Sequence, residues 1–180
     1  TQSLAVPATF SVCARDADGV NSHGRTQAAL AIRNGRLRLA NAYGSELLPL
    51  PVPVEAQYWA GTYFATHRDD NCTSINPSSI IMSGYTQGLA ACETWFSPAT
   101  ALTLANGRGT LTLRAPGAGN AGSVALAENI GSSASGKTCL SSTETNATAA
   151  NLPGFGAVNP ATRATFGVFK TPLIYRRENY

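Results

Sequence analysis

The chain has 180 residues, 43% hydrophobic and 13% charged, with a formal net charge of +3. That length suits one domain, and the charged share is about half that of ordinary soluble domains. A surplus this small and scattered excludes a nucleic-acid footprint. The longest apolar stretch, LLPLPVPV at 47–54, is short and broken by prolines, so no membrane-spanning helix is encoded.

The start, TQSLAVPATF, has neither the basic n-region nor the long apolar h-region of an export signal. The expectation is a single domain over 1–180, the C-terminal fragment of a longer surface protein, with 1–35 as an alternative N-terminal strand and loop module. TQAALAIRNG, 26–35, has helix formers and a glycine stop and predicts two helical turns. Period-two patterns dominate from there on. In GRLRLANA, Leu37 and Leu39 face one way and Arg36 and Arg38 the other. In PVPVEAQYW, Val52, Val54, Ala56 and Tyr58 share a face, while Pro51 and Pro53 place the strand's start at a sheet edge. Ala60-Gly61 then turns the chain into GTYFATH as a hairpin. Asn106-Gly107 predicts a second hairpin within ALTLANGRGTLTLRAPG. GSVALAENI is a strand with Val124 and Leu126 inward, 131–159 a long Ser/Thr-rich loop, and ATFGVF with LIY the closing strands. Turns arrive every 8 to 12 residues, the rhythm of a sandwich.

Cysteines stand at 13, 72, 92 and 139, with no C-x-x-C pair to indicate zinc or a redox motif. Four widely spaced cysteines in a low-charge chain read as two disulfides in an oxidising compartment. Three connectivities are open; Cys13–Cys72 with Cys92–Cys139 is preferred because it staples the middle of the chain at both ends.

GSSASGKT, Gly131 to Thr138, satisfies the pattern of a phosphate-cradling loop and would place Lys137 on a nucleotide. That chemistry needs a helix after the loop, whereas CLSSTETNATAANLPG is a poor helix former. DADGVN offers Asp16, Asp18 and Asn21 to calcium, but lacks the glycine and closing glutamate of an EF-hand and reads as a turn. Asp69 and Asp70 in RDDNC are similar: cation ligands or turn caps. His23 and His67 sit in loops, no G-x-S-x-G elbow or H-E-x-x-H occurs, and the ten acids show no pairing for glycosidic chemistry. Tyr58, Trp59, Tyr63 and Phe64 crowd one hairpin and Trp95-Phe96 another loop. Half of these belong to the core, and the others are free to stack on sugar rings or a neighbouring domain.

Three stretches together carry a family resemblance. LRLANAYGSELLPLPVPVEAQYWAGTYFATHRDDNCT runs through Tyr-Gly, a Pro-flanked strand and a Tyr-Trp pair to Asp-Asp-x-Cys-Thr. GRGTLTLRAPGAGNAGSVAL is a Gly-rich hairpin followed by Ala-Pro-Gly and Gly-Ser-Val. RATFGVFKTPLIYRRENY holds Arg-Ala-Thr-Phe-Gly and an Ile-Tyr-x-Arg-Glu ending. In this order they resemble the bacterial domain of unknown function at the C-terminus of MshQ, a protein of the mannose-sensitive haemagglutinin (MSHA) type IV pilus, over 36–130 and 163–180. The resemblance implies an exported Gram-negative protein associated with type IV pili or the cell surface, and assigns no catalytic residue. The chain departs from it at 131–159, Ser/Thr-rich here where relatives carry Trp-Leu and an Asp-rich stretch. Cys72 matches the family's cysteine, whereas Cys92 and Cys139 look like additions, which favours their pairing.

These readings set the expectations. The fold is all-β, a mainly antiparallel Ig-like β-sandwich with long surface loops and little helix. The function is non-enzymatic structural or adhesive display outside the cell, reached through the periplasm, with pilus or cell-surface proteins and glycans as partners. Tyr58, Trp59 and Asp70 are the surface-contact candidates, and the final strand offers an edge for strand addition. The alternatives are a carbohydrate-binding or carbohydrate-active domain and, behind them, nucleotide binding at Lys137. No cofactor is expected, calcium at Asp16, Asp18 and Asn21 being the weak exception.

Overall fold

The alternation read at GRLRL persists through the long strands, and it decides which side chains enter the interior. The computed structural model describes residues 35–167 apart from 132, 153 and 157. These lie within one unit, Arg33–Tyr180. The first half of the described chain carries β1 (Gly35–Leu39), β2 (Ala42–Gly44), β3 (Leu50–Trp59), β4 (Phe64–Thr66), β5 (Ser74–Ile75) and β6 (Ile80–Gln87). The second half carries β7 (Leu102–Thr103), β8 (Arg108–Leu113), β9 (Gly122–Glu128), β10 (Lys137–Cys139), β11 (Glu144–Asn146) and β12 (Ala161–Phe166). A 3-10 turn, Pro77–Ser79, precedes β6 and is capped by the Asn76 side chain, which accepts from the Ser78 N–H.

β3 is the spine of the first sheet. β1 pairs along one side of it, and β8 followed by β4 along the other, all antiparallel. The second sheet runs β2-β12-β9-β6, antiparallel except that β2 lies parallel to β12. Leu37, Leu39, Val52, Val54, Leu111 and Leu113 from the first sheet and Ile80, Met82, Val124, Leu126, Ala164 and Phe166 from the second form one buried cluster. Each of the larger side chains contributes roughly 1.5–3 kcal/mol by leaving water. Two sheets joined by their inward faces, with no closed barrel, make this an all-β, sandwich-like fold.

The first hairpin reading holds; at Asn106-Gly107 the turn holds, but its arms part beyond the Ala105↔Arg108 bridge, β7 pairing with β5 and β8 with β3. Trp59 pairs with Phe64 across a four-residue turn closed by the Ala60 N–H on the Tyr63 carbonyl at 2.8 Å. Asn106 (φ 51°) and Gly107 (φ 72°) are both left-handed, as a type I′ turn requires, and Ala105 and Arg108 exchange backbone bonds of 2.9 and 3.0 Å. A Cβ on Gly107 would fall 2.3 Å from the His67 carbonyl oxygen. Gly107→Ala is therefore expected to cost at least about 1–2 kcal/mol, read as a lower urea midpoint with an unchanged slope.

The prolines of β3 also behave as read. The Pro53 carbonyl accepts from the Ala40 N–H at 2.9 Å on the β1 side, so the absent N–H groups of Pro51 and Pro53 face the side that β1 leaves after Leu39↔Val54.

Two expectations need correction. The segment 131–159 is not only a loop, because it folds into the β10–β11 ribbon, with Thr138, Cys139 and Ala147 buried. Its Ser/Thr content hid the strands, and tertiary ties fix them: the Thr148 N–H bonds the Ser78 carbonyl, and the Asn129 amide donates to the Ser133 and Thr148 carbonyls. The closing strand β12 offers no free edge over 164–166, where β2 and β9 flank it on both sides, while 161–163 pair with β9 alone. The helical reading of 26–35, all but its final glycine, and the LIY strand lie outside the described residues.

Candidate functional site

The side of the first sheet that faces away from the core is the most organised polar surface among the described residues. Because Val54 and Ala56 point inward, Glu55 and Gln57 point outward, and the ladder sets cationic partners beside them. Arg38 and Arg108 stand directly opposite Glu55 on β1 and β8. Arg36 and Thr66 stand opposite Gln57 on β1 and β4, and Trp59 faces Phe64 one row further. Rows two residues apart are separated by about 6.7 Å, so the Glu55 and Trp59 rows lie about 13 Å apart.

The rows are linked by hydrogen bonds. Arg36 Nε donates to Gln57 Oε1 at 2.7 Å, and Gln57 Nε2 donates to Glu55 Oε2 at 2.7 Å. Glu55 also accepts from the Thr66 hydroxyl and pairs with Arg38 at 3.6 Å and Arg108 at 3.5 Å. Burial pushes the Glu55 carboxyl up, but the bonds from Thr66 and Gln57 and the Arg108 charge outweigh this and hold it below the usual carboxylate range. Arg38 and Arg108 remain 57% and 68% exposed, so most of their donors point at solvent. At the aromatic end the Arg36 guanidinium lies 3.9 Å from the Phe64 ring centre, and Phe64 meets Trp59 edge-on at 5.1 Å. Such contacts are worth about 0.5–1.5 kcal/mol each and fix the platform's shape. A shallow cleft of about 390 Å³ runs beside the charged row, lined by Arg38, Pro53, Glu55, Arg108 and Thr110 among others.

The three predicted contact residues are not brought together. Trp59 belongs to this outer face and is 44% exposed. Tyr58, its neighbour in a strand of period two, turns the other way. It meets His67 edge-on at 5.7 Å and lines a second cleft of about 440 Å³ with Tyr63, Phe64, Arg68 and Asp69. Asp70 is corrected outright, being buried at 4% exposure. Its Oδ1 accepts from the backbone N–H groups of Cys72 at 3.2 Å and Thr73 at 2.9 Å, and its carbonyl takes the Gly107 N–H at 2.7 Å. Burial raises this carboxyl, while the bonds from Thr73 and Cys72 lower it further, so its ordinary value is depressed. Asp70 closes a turn rather than meeting a partner.

Of the cysteines, Cys92 and Cys139 form a disulfide, and Cys72 holds a free, exposed thiol. Cys13, its expected partner, lies outside the described residues, as do Asp16, Asp18 and Asn21. Among the described residues no group of three or more His, Cys, Asp or Glu could hold a metal ion. Lys137 opens the strand β10, and its amine donates to Asn146 Oδ1 at 2.7 Å. The helix N-terminus that a phosphate-cradling loop needs does not follow it. Each cleft is lined by a single carboxylate, Glu55 in one and Asp69 in the other.

Sequence reasoning missed two features, one of register and one that alternation could have supplied. It placed Arg36 and Arg38 outward but not Glu55, Gln57 and Arg108 beside them, because strand register is not written in either strand alone. It also placed Val124 and Leu126 inward without continuing to Glu128, two residues on, which is fully buried. Glu128 Oε1 meets the Ser79 hydroxyl at 2.5 Å, and Oε2 has no partner.

Fold and face together define an antiparallel β-sandwich domain that carries a cationic and aromatic surface on one sheet. Residues 33–179 match the family described as DUF6701, fourth domain, and the chain belongs to that family. The match leaves residues 1–32 outside it. No curated protein and no solved structure matches the chain. No helix among the described residues is long and apolar enough to cross a membrane.

Proposed function

We propose that the chain is a non-enzymatic extracellular domain, associated with an MSHA-like type IV pilus or the cell surface, that makes adhesive contact through the outer face of its first sheet. The observation that carries this reading is the exposed Trp59, set edge-on against Phe64, beside the Arg36, Arg38 and Arg108 rows. An exposed indole with adjacent donors suits ligands that are apolar on one side and hydroxylated on the other, which favours glycans among the expected partners. Pilus association and export rest on the resemblance to the C-terminal domain of MshQ. The Cys92–Cys139 bond fits an oxidising compartment. A carbohydrate-active enzyme would place two carboxylates across one cleft, and neither cleft supplies the pair.

Two measurements test the proposal. Cell fractionation should recover the protein with sheared pili or the outer surface, and recovery from the cytosol alone rejects it. The full chain should bind cells and a glycan array, and Trp59→Ala should lose most of that binding with an unchanged circular dichroism spectrum. Equal binding by the variant rejects the assigned face.

A further inference from the structure

Resting on that reading of the first sheet, we propose that its outer face takes an acidic glycan, a polysaccharide whose sugar units carry carboxylates. A sugar ring lies on the exposed Trp59, and a uronate further along the strand meets Arg38 and Arg108. The argument is one of charge and spacing. Three guanidiniums share this face with one carboxylate, which two of them flank, so two positive charges remain unbalanced on it, against a net charge of +3 for the whole chain.

Glu55 does not consume the two flanking arginines, because each meets it by a single contact of 3.5–3.6 Å and stays mostly exposed. Instead it holds Arg38 and Arg108 to either side of one row, leaving two planar forks whose donors match carboxylate oxygens. The Gln57 and Thr66 side chains tie that row to the next, so the guanidiniums are positioned before a ligand arrives. The aromatic platform then lies about 13 Å along the strands, which asks for a ligand extended over several sugar units.

The same features argue against a nucleic acid. A phosphodiester chain carries a charge at every unit and is met by many cations, whereas here a carboxylate sits at the centre of the patch. A ligand with spaced charges and many hydroxyls suits the mixture of arginines with Thr66 and Thr110 better. An acidic protein segment would bring carboxylates, but a ring for Trp59 only where an aromatic residue or proline stands at the right spacing, whereas every unit of a glycan is a ring.

The test is a titration of the full chain with an oligouronate, a neutral dextran of equal length and a single-stranded oligonucleotide, at low and moderate salt. The oligouronate should bind, weaken as salt rises, and lose about tenfold or more in affinity in Arg38→Gln/Arg108→Gln. Arg163→Gln, on the other sheet, should leave it unchanged. Dextran should bind at least tenfold more weakly than the oligouronate. Failure of the oligouronate to bind, equal binding of dextran, tighter binding of the oligonucleotide, or an unaffected double variant each overturns the proposal. If adhesion of the full chain still depends on Trp59 when the oligouronate fails, the acidic-glycan assignment falls and the assignment of the face stands.

Discussion

Replacing Cys92 and Cys139 together by serine should lower stability by about 4 kcal/mol. The estimate follows from the 47-residue separation that the bridge closes, since a cross-link removes loop-closure freedom from the unfolded chain in proportion to the logarithm of loop length. The bridge also has a local task. Cys139 is fully buried on β10, and Cys92 lies in the segment after β6, so the bond holds the β10–β11 ribbon against the second sheet. Tyr85 touches the same sulfur, its hydroxyl 3.5 Å from Cys139 Sγ. Thermal unfolding with and without reductant should show the same drop in the native protein as in the double variant. A native transition unmoved by reductant, with the bond shown to be reduced by thiol titration, would contradict this account.

Glu128 should make the protein less stable as pH rises from mildly acidic to neutral. Burial pushes its carboxyl up to about 7 from an ordinary 4.5, the Ser79 hydroxyl offsetting only part of that cost. The contacts agree with a neutral group. Ser79 Oγ lies 2.6 Å from the Asn76 carbonyl and 2.5 Å from Glu128, yet has one proton to give. A protonated Glu128 donating to Ser79 satisfies both contacts. The sign follows from linkage. Below about pH 4.5 both folded and unfolded chains hold the proton, and the contribution is complete. Between 4.5 and 7 the unfolded chain gives it up first, so stability falls, by a total on the order of 3 kcal/mol. Glu128→Gln removes that fall: its melting temperature should match the native protein near pH 4.5 and exceed it at pH 8. The depressed carboxyls of Glu55 and Asp70 act the opposite way, losing stability as pH drops, but they are common to both proteins and cancel in the difference. Parallel pH profiles for the two proteins would show that Glu128 is not the titrating group.

What could be read in the chain divides along a physical line. Leu37 and Leu39, Val52 and Val54, and Val124 and Leu126 announce themselves because a half-buried strand imposes its period on the residues it carries, and all six are buried. Asn106-Gly107 announces its turn because few other pairs accept two left-handed residues in succession. The face built on Glu55 was hidden because it is a property of register. Arg38, Glu55 and Arg108 are remote in sequence and become one row only when β1 and β8 flank β3. Tyr58 and Trp59 misled by adjacency, since neighbours in a strand point to opposite sides. Asp70 misled by its type: a carboxylate in a polar loop suggests a surface, but this one satisfies the backbone of Cys72 and Thr73. The β10–β11 ribbon, Ser/Thr-rich and without alternation, is set by its disulfide and by bonds to Ser78 and Asn129.

The claim on which the functional account turns is that the outer face of the first sheet, and not another surface, meets the target. Hydroxyl-radical footprinting of the full chain, free and bound to whole cells, reads this directly, because exposed aromatic side chains report on both sheets. Trp59 stands on the assigned face, and Tyr43, 72% exposed, belongs to the edge strand β2 of the second sheet. The account predicts that Trp59 and Phe64 are protected on binding while Tyr43 is oxidised as before. Protection of Tyr43 with Trp59 left fully reactive would contradict it.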